Sequence, residues 1–432
     1  MTGYAEYGAW GRLPAPPQRA IRDLSGPSLA AQSTSLLPYG RGRSYGDSCL
    51  NSDGVLLDTR DQDHLLSFDN GVLRCESGVR FDDLVRLFVP LGWFLPVTPG
   101  TTEITLGGAI ANDVHGKNHH RAGTFGRHVR RIGLWRSDRG ELTCSADQDP
   151  ELFGATIGGL GLTGLIRWAE FDLKPIPSNA VRVMTEPFDT LEQFMNLSFE
   201  HSTRAEYTLA WLDSLSAKRG RCRGLFFAGN HADEPVREGR RWRPSLPSDL
   251  PGFVLNRGTI GAFNRLYYQR GKRRGTDNQS LWRFFYPLDG IRHWNRLYGR
   301  RGFYQYQCVV PLDAVKALQR LLETIRLAGQ GSFLGVLKVF SDIPSPGWLS
   351  FPRQGVCLAL DLPNRGPDTA ALLKRLDLQL AECGGRLYPA KDACMSPTDF
   401  AQAYPALERF RGQCDPAFSS DFWRRVSAKG GV

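Results

Sequence analysis

The chain has 432 residues, of which 41% are hydrophobic and 11% aromatic, enough to build two domains or one large composite domain. No run of about 18 apolar residues occurs, so we predict no transmembrane helix. The N-terminal residues lack the basic and apolar regions of a signal peptide. Nine cysteines without regular spacing predict reduced thiols rather than a disulfide framework, and we therefore expect a cytoplasmic protein.

The net charge of +10 is concentrated in one part of the sequence. Residues 216–275 contain fourteen Lys or Arg against four Asp or Glu, so the rest of the chain sums to zero. One interpretation is a solvated, partly disordered loop region. The other is a surface that meets anionic lipid head groups or a phosphate-bearing substrate, with Trp242, Phe253 and Phe263 dipping into the interface. No nucleic-acid-binding motif accompanies the charge, so we expect no nucleic-acid partner.

Hydrophobic periodicity predicts a first domain over residues 1–177. Strands are predicted over residues 33–37, 55–58, 72–76 and 165–173, a hairpin over 129–144, and helices over 81–89 and 151–155. Short strands, glycine-rich loops and short helices in this mixture are typical of an α+β nucleotide-binding domain.

The sequence Pro175-Ile-Pro177 predicts a boundary, after which a second domain covers residues 178–385. The patterns there predict strands over residues 181–185, 208–213, 304–310, 335–340 and 356–361, and helices over 191–199, 314–327 and 369–382. This order predicts an antiparallel sheet covered by helices.

Two glycine-dense loops, at residues 39–47 and 107–120, are the most informative feature of the chain. Glycine permits positive φ and a close approach of a ligand to the main chain, and successive free backbone N–H groups form an anion-binding concavity. The first loop therefore predicts pyrophosphate binding, and the second predicts packing against a flat, buried ring system. Neither loop has the spacing of a P-loop or of a Rossmann fingerprint.

These loops, with residues 157–164, 303–307, 333–338 and 387–392, resemble the FAD-binding oxidoreductases of the vanillyl-alcohol oxidase type along nearly the whole chain. The string Val-His-Gly-Lys-Asn-His-His at residues 114–120 is the most specific marker. The resemblance implies a two-part FAD-binding domain, to which residues 386–432 return after the substrate domain.

The resemblance also implies which residues bind FAD. Many members of this family attach FAD through a histidine at the position of Arg43, so the arginine here predicts non-covalent FAD. The FAD-binding residues implied are Arg41, Gly42, Arg43, Ser44, Tyr45, Gly46, Thr101, Gly107, Gly108, Ala111, Asn112, His115, Gly116, Ile157, Gly158, Gly161 and Lys391.

Three residues are implied in catalysis. Lys391 would stabilise negative charge on the reduced flavin or on an alkoxide of the substrate. His115 would orient the substrate hydroxyl, and an unperturbed imidazole, which titrates near pH 6.5, suits proton transfer; alternatively, it only shapes its loop. Tyr45 would share the hydrogen-bond network of Lys391.

The resemblance further implies a substrate pocket. Side chains alternate along a strand, so Gln305 and Gln307 should share one face. Trp211 is equally compatible with the core, because aromatic residues on strands are commonly buried. The implied substrate-binding residues are Lys117, Trp211, Gln305, Gln307 and Lys338.

Four of the eight histidines, namely His115, His119, His120 and His128, lie within fourteen residues. Gly116 argues against a regular helix there, and no Glu or Cys stands at ligand spacing. We therefore expect no metal site.

The function implied by the resemblance is oxidation of a secondary alcohol on a sugar. The expected substrate is a polyprenyl-phosphate-linked pentose, oxidised at C2 to a keto sugar as the first half of an epimerisation that a short-chain NAD(P)H reductase would complete. Such a protein would be peripheral on the inner membrane face. Two alternatives stay open: a soluble sugar, alditol or aldonolactone oxidase, and a basic surface-binding protein whose flavin fold has lost catalysis.

Overall fold

The computed structural model describes residues 7–238 and 243–427. Trp242, predicted at a lipid interface, lies outside these residues, as do Arg240 and Arg241. Helices are mixed with mainly antiparallel sheets, which confirms the prediction of an α+β fold.

The first part of the chain carries three sheets. A parallel sheet has the strand order Ala20–Ile21, Val55–Asp58, Leu36–Tyr39. An antiparallel sheet has the order Leu65–Asp69, Val72–Glu76, Leu165–Asp172, Val129–Arg136, Gly140–Ser145. The short strands Trp93–Phe94 and Lys174–Pro175 form a third, two-stranded sheet.

The second part is organised around one large antiparallel sheet. Helices cover it, and their buried leucines and phenylalanines form one continuous core with its strands. Its strands, in spatial order, are Thr276–Ser280, Ala180–Thr190, Arg221–Ala232, Tyr207–Leu212, Gly335–Phe340, Gly355–Pro363, Phe303–Val310 and Arg386–Leu387.

Helices connect and cover these sheets. Thr190 caps Leu191–Ser202 by accepting a hydrogen bond from the Gln193 backbone N–H, as expected of a threonine at this position. The α-helices are Gly26–Ala30, Phe81–Phe88, Leu106–Ala111, His119–Ala122, Pro150–Thr156, Leu191–Ser202, Arg257–Gly271, Leu281–Phe285, Val315–Leu327, Pro367–Glu382, Pro397–Ala403, Leu407–Arg411 and Asp421–Ser427. No helix in the described ranges has the length and apolar character needed to cross a membrane.

The structure of the basic segment 216–275 contradicts one of the two interpretations of its charge. It contributes the strand Arg221–Ala232, which lies between two other strands of the large sheet, and the helix Arg257–Gly271. A solvated, partly disordered loop is therefore wrong for these residues. Two arginines and two glycines concealed this strand, although Cys222, Gly224, Phe226 and Ala228 recur at every second position and are buried.

The C-terminal residues pack on the first part of the chain. The Leu36 N–H donates to the Ala417 carbonyl over 2.7 Å, and Phe418 packs in a cluster with Leu36 and Trp135. The strand Arg386–Leu387, by contrast, still pairs with the large sheet. The chain therefore returns to the first part of the fold after this strand rather than at residue 386.

Candidate functional site

A cavity of about 860 Å³ lies between the first part of the chain and the large sheet. The loop at residues 40–45 and the helix Leu106–Ala111 form one wall. Strands Phe303–Val310, Gly335–Phe340 and Gly355–Pro363 contribute the other. The cavity is therefore built from segments about 300 residues apart in sequence.

Most residues predicted to bind FAD line this cavity. They are Arg41, Gly42, Arg43, Ser44, Tyr45, Thr101, Gly107, Gly108, Ala111, Asn112, His115, Gly161 and Lys391. Gln305, Gln307 and Lys338, predicted to bind substrate, line the same cavity, and the two glutamines face it from one side of their strand.

The loop at residues 41–44 presents donors for an anion. In the described part of the chain, the backbone N–H groups of these residues have no protein acceptor. Four guanidinium groups, those of Arg41, Arg43, Arg80 and Arg243, lie within 3.5–3.9 Å of the single Glu103 carboxylate. Arg80 also pairs with Asp83 and Arg243 with Asp82, which partly neutralises these two cations. The free N–H groups beside Arg41 and Arg43 suit a pyrophosphate or phosphate.

Lys391 and Tyr45 meet across the cavity. The Lys391 Nζ lies 3.8 Å from the centre of the Tyr45 ring, and the Tyr45 N–H donates to the Ala390 carbonyl over 2.9 Å. Burial lowers the pKa of Lys391 to about 7, against the opposing attraction of Asp361. Burial also raises the pKa of Tyr45 well above its usual value, so Tyr45 remains a phenol and can donate a hydrogen bond but cannot act as a base.

His115 lies buried beside Gln307. The Gln307 amide donates to the His115 Nε2 over 3.0 Å, whereas the buried Nδ1 has no protein partner. Burial lowers the pKa of His115 far below its usual value, and the charges of Lys338, His119 and Lys391 lower it further. The sequence predicted an imidazole titrating near neutrality; in the structure His115 is neutral instead, because it is desolvated near cations.

Asp361, which was not predicted from the sequence, lies behind the cavity wall against Gln305. Its carboxylate accepts a hydrogen bond from the Gln305 amide over 2.6 Å, and its second oxygen is buried without a hydrogen-bond partner. Burial raises the pKa of Asp361 to about 7, although Gln305 and Lys391 act against this shift. The available signal was a carboxylate inside an otherwise apolar strand, Gly355–Pro363.

Two residues predicted to bind substrate are turned away from the cavity. Lys117 donates to the Phe284 carbonyl and lies 4.4 Å from the Phe284 ring centre, and burial lowers its pKa well below the usual value. Trp211 donates from Nε1 to the Phe333 carbonyl over 3.0 Å and packs on Tyr267. Neither lines the cavity, so both predictions are corrected.

Four residues predicted to contact FAD support the cavity from behind. The Gly158 N–H donates to the Ile110 carbonyl over 2.9 Å, and Ile157 is fully buried. A Cβ on Gly116 would approach the Thr98 carbonyl to 3.0 Å, and one on Gly46 would overlap the Asp392 carbonyl. They hold the loops in place rather than line the cavity.

The remaining histidines of the cluster face different partners. His120 Nε2 lies 3.0 Å from the Ala205 carbonyl, and His128 Nε2 lies 3.2 Å from the Ala122 carbonyl. His119 packs on the Phe340 ring. The three rings therefore contact different parts of the protein, and the buried Nδ1 of His119 has no hydrogen-bond partner among the described residues.

The Asp361→Asn variant should change how stability depends on pH. The folded pKa of about 7 lies above the ordinary value of 3.8, so between these values the folded chain holds a proton that the unfolded chain has released. Wild-type stability should therefore fall as pH rises towards 7, by up to about 1.4 kcal/mol per pH unit from this group. The variant lacks this group, so its stability should not fall in this way. Removing the carboxylate also takes away an attraction that raises the pKa of Lys391, and a lower pKa of Lys391 makes the variant's stability rise with pH.

Urea unfolding of the wild type and the variant between about pH 5 and pH 7 measures this difference. Asp63→Asn, at an exposed position, is the matched control and should follow the wild type. Parallel curves for Asp361→Asn and the wild type would show that Asp361 is ionised throughout.

Comparisons with known proteins agree with this geometry. Residues 28–145 match the model of a FAD binding domain. The chain is 33% identical to the decaprenylphosphoryl-β-D-ribose oxidase of Mycolicibacterium smegmatis, over 96% of each chain. The chain belongs to this family of FAD-dependent oxidoreductases.

Two further relatives of this flavoenzyme match different lengths of its sequence. An uncharacterized protein of Streptomyces coelicolor is 35% identical over 79% of this chain and 98% of its own length. The human Δ24-sterol reductase is 27% identical over 31% of this chain and 26% of its own length.

The cavity fits the cofactor of an FAD-dependent oxidoreductase. The free N–H groups of residues 41–44 and the surrounding guanidinium groups suit the pyrophosphate of FAD. On the same wall, the small residues Gly107, Gly108 and Ala111 leave room for a flat ring system. Lys391 and His115 line the same cavity.

Proposed function

We propose that this flavoenzyme oxidises C2 of a polyprenyl-phosphate-linked pentose, with decaprenylphosphoryl ribose as the model substrate. The observation that carries the proposal is that one cavity is lined by the loop at residues 41–45 and by Gln305, Gln307, Lys338 and Lys391. The chain is also similar along its length to a decaprenylphosphoryl-β-D-ribose oxidase. A short-chain NAD(P)H reductase would reduce the keto product on its other face, which completes an epimerisation.

The cofactor is proposed to be held non-covalently. The resemblance places Arg43 where many members of the wider family attach FAD through a histidine, and the Arg43 Nε donates to the Glu103 carbonyl over 3.1 Å. A guanidinium group is not a nucleophile that could form such a bond. The pyrophosphate would instead be held by the backbone of residues 41–44 and by neighbouring arginines.

The protein's own groups would bind and orient the sugar. Amide groups of Gln305 and Gln307 and the amine of Lys338 suit sugar hydroxyls, because they offer both donors and acceptors. Asp361 fixes the Gln305 amide nitrogen, which leaves the Gln305 carbonyl oxygen available to accept from a hydroxyl. One polar wall would thus present C2 of the sugar to the ring system.

The catalytic roles follow from the protonation states. When bound, FAD supplies the hydride acceptor for the alcohol carbon. Lys391 as an ammonium group would stabilise negative charge developing on the substrate oxygen. Neutral His115 would orient the hydroxyl, and its lowered pKa makes it a poor final acceptor, so we assign the released proton to solvent.

An anaerobic visible spectrum of the purified protein tests the function. Acid precipitation should release flavin into the supernatant, as non-covalent binding requires. Decaprenylphosphoryl ribose should bleach the flavin absorption of the native protein. A yellow protein that stays yellow with this lipid but bleaches with a free sugar, alditol or aldonolactone would establish the soluble-oxidase alternative. Flavin that no alcohol bleaches would contradict catalysis altogether.

A substrate anchored in lipid requires the enzyme to reach a membrane surface. We therefore propose peripheral association with an anionic membrane. The support for this is the charge of residues 216–275, which carry the whole net charge of the chain, and the attraction of basic segments to anionic lipids.

A further inference from the structure

The helix Arg257–Gly271 is attached to the large sheet by one narrow face. Ile260, Asn264, Tyr268 and Gly271 are buried, at the spacing of one side of a helix. The Asn264 amide donates to Asp213 Oδ1 over 2.7 Å and to the Ser332 carbonyl over 3.2 Å. These buried polar bonds fix the rotation of the helix and so determine which residues face outward.

The outward side exposes large apolar groups. Phe253, in the loop before the helix, is 77% exposed. On the helix, Phe263 is 46%, Leu266 51% and Tyr267 39% exposed. We call the exposed side of residues 251–274 the basic aromatic face. Clustered exposed apolar groups of this kind mark interaction sites.

The same face is positively charged without compensation. Residues 251–276 contain no Asp or Glu. Their cations are all exposed, and no described carboxylate forms an ion pair with any of them. They are Arg257, Arg265, Arg270, Lys272, Arg273 and Arg274. Basic residues interspersed with aromatic ones match a bilayer whose anionic head groups lie above an apolar interior.

Aromatic contacts join this face to the cavity. Phe263 packs on Phe333, with ring centres 5.8 Å apart, and Phe333 stacks near Tyr298 at 5.9 Å. Tyr298 stacks on Phe303 at 4.1 Å, and Phe303 packs on Tyr45 at 5.4 Å. Because Tyr45 lines the cavity, the basic aromatic face and the cavity share one packed wall.

We propose that the basic aromatic face docks the enzyme on anionic lipid, with Phe253 and Leu266 at the boundary between head groups and acyl chains and the cations on lipid phosphates. Docking follows from the exposed apolar groups and the charge. Its consequence, delivery of a lipid-linked sugar into the adjoining cavity, rests on the proposed function.

Sedimentation of the FAD-loaded enzyme with vesicles tests the docking. Vesicles of equal parts phosphatidylglycerol and phosphatidylcholine should bind the wild type, and vesicles of phosphatidylcholine alone should bind it weakly. Arg273→Ala/Arg274→Ala should reduce partitioning about thirty-fold at low salt, because each basic residue near the surface contributes about a factor of five. Phe253→Ser should reduce partitioning to both kinds of vesicle.

Matched controls lie on the helix Pro367–Glu382. Lys374→Ala/Arg375→Ala removes a neighbouring pair of exposed cations, and Leu378→Ser removes a leucine that is 59% exposed. A loss in the control pair equal to that of Arg273→Ala/Arg274→Ala would overturn the proposal, since bulk charge would then explain the binding. Binding to RNA or to an acidic protein without binding to vesicles would overturn it as well.

The outcome for docking is separable from that for the proposed function. The flavin of Arg273→Ala/Arg274→Ala should be bleached by detergent-dispersed decaprenylphosphoryl ribose at the wild-type rate. When the lipid is in vesicles, the flavin of the variant should be bleached more slowly than that of the wild type. Vesicle binding without bleaching by any lipid-linked pentose would leave the docking intact and refute the proposed substrate. Equal bleaching rates from vesicles in the variant and the wild type would overturn the role in delivery.

Discussion

Replacing Lys391 by methionine is expected to lower the rate of flavin reduction by about 10²–10³-fold, the usual cost of removing one group that stabilises developing charge. FAD should remain bound, because the groups that we propose to hold its pyrophosphate lie on the loop at residues 41–44 rather than on Lys391. Methionine keeps the length and packing of the side chain but removes the cation that faces Tyr45. Anaerobic stopped-flow spectroscopy with decaprenylphosphoryl ribose measures the rate, and the flavin absorbance reports occupancy.

Lys391→Arg distinguishes charge from mere size at this position. Since burial lowers the pKa of Lys391 to about 7, the wild-type rate should fall as pH rises through about 7 if the ammonium form is active. Arginine stays protonated at these pH values, so this variant should regain part of the activity without that fall. Lys374→Met, at an exposed position, should match the wild type. A fully active Lys391→Met would remove Lys391 from the mechanism.

Gly46→Ala is expected to push the loop at residues 40–46 away from the segment that carries Lys391 and Asp392. A Cβ at this position would lie 1.6 Å from the Asp392 carbonyl oxygen and 2.5 Å from its carbonyl carbon, and a backbone group cannot rotate aside as a flexible side chain can. Overpacking of this kind typically costs about 1–3 kcal/mol. Displacing the loop that carries Lys391 should also weaken FAD binding at least about tenfold.

Urea unfolding of the FAD-free protein and fluorescence titration with FAD measure these two effects. Gly26→Ala is the control, because a Cβ there meets no atom within 4 Å, and it should be neutral in both measurements. Wild-type stability and FAD affinity in Gly46→Ala would show that the two loops can move apart without cost.

The sequence by itself determined the local elements and the class of site. Alternation is a property of consecutive residues, so the strands Val55–Asp58, Val72–Glu76 and Gly335–Phe340 were predicted with their observed bounds. The loop at residues 39–47 indicated a pyrophosphate site, because glycine density is visible without a partner. Gln305 and Gln307 were placed on one face by strand alternation alone.

The tertiary structure decided the orientations and the charge states. Nothing in the local pattern turns Lys117 to the Phe284 carbonyl or Trp211 to Phe333, because each acceptor lies more than 100 residues away. Only folding brings Asp361 to Gln305 and Lys391 to Tyr45. A pKa depends on burial and on neighbouring charges, and both arise when distant segments meet. The sequence therefore supplied the chemical groups, and long-range packing decided which of them share the cavity and in which protonation state.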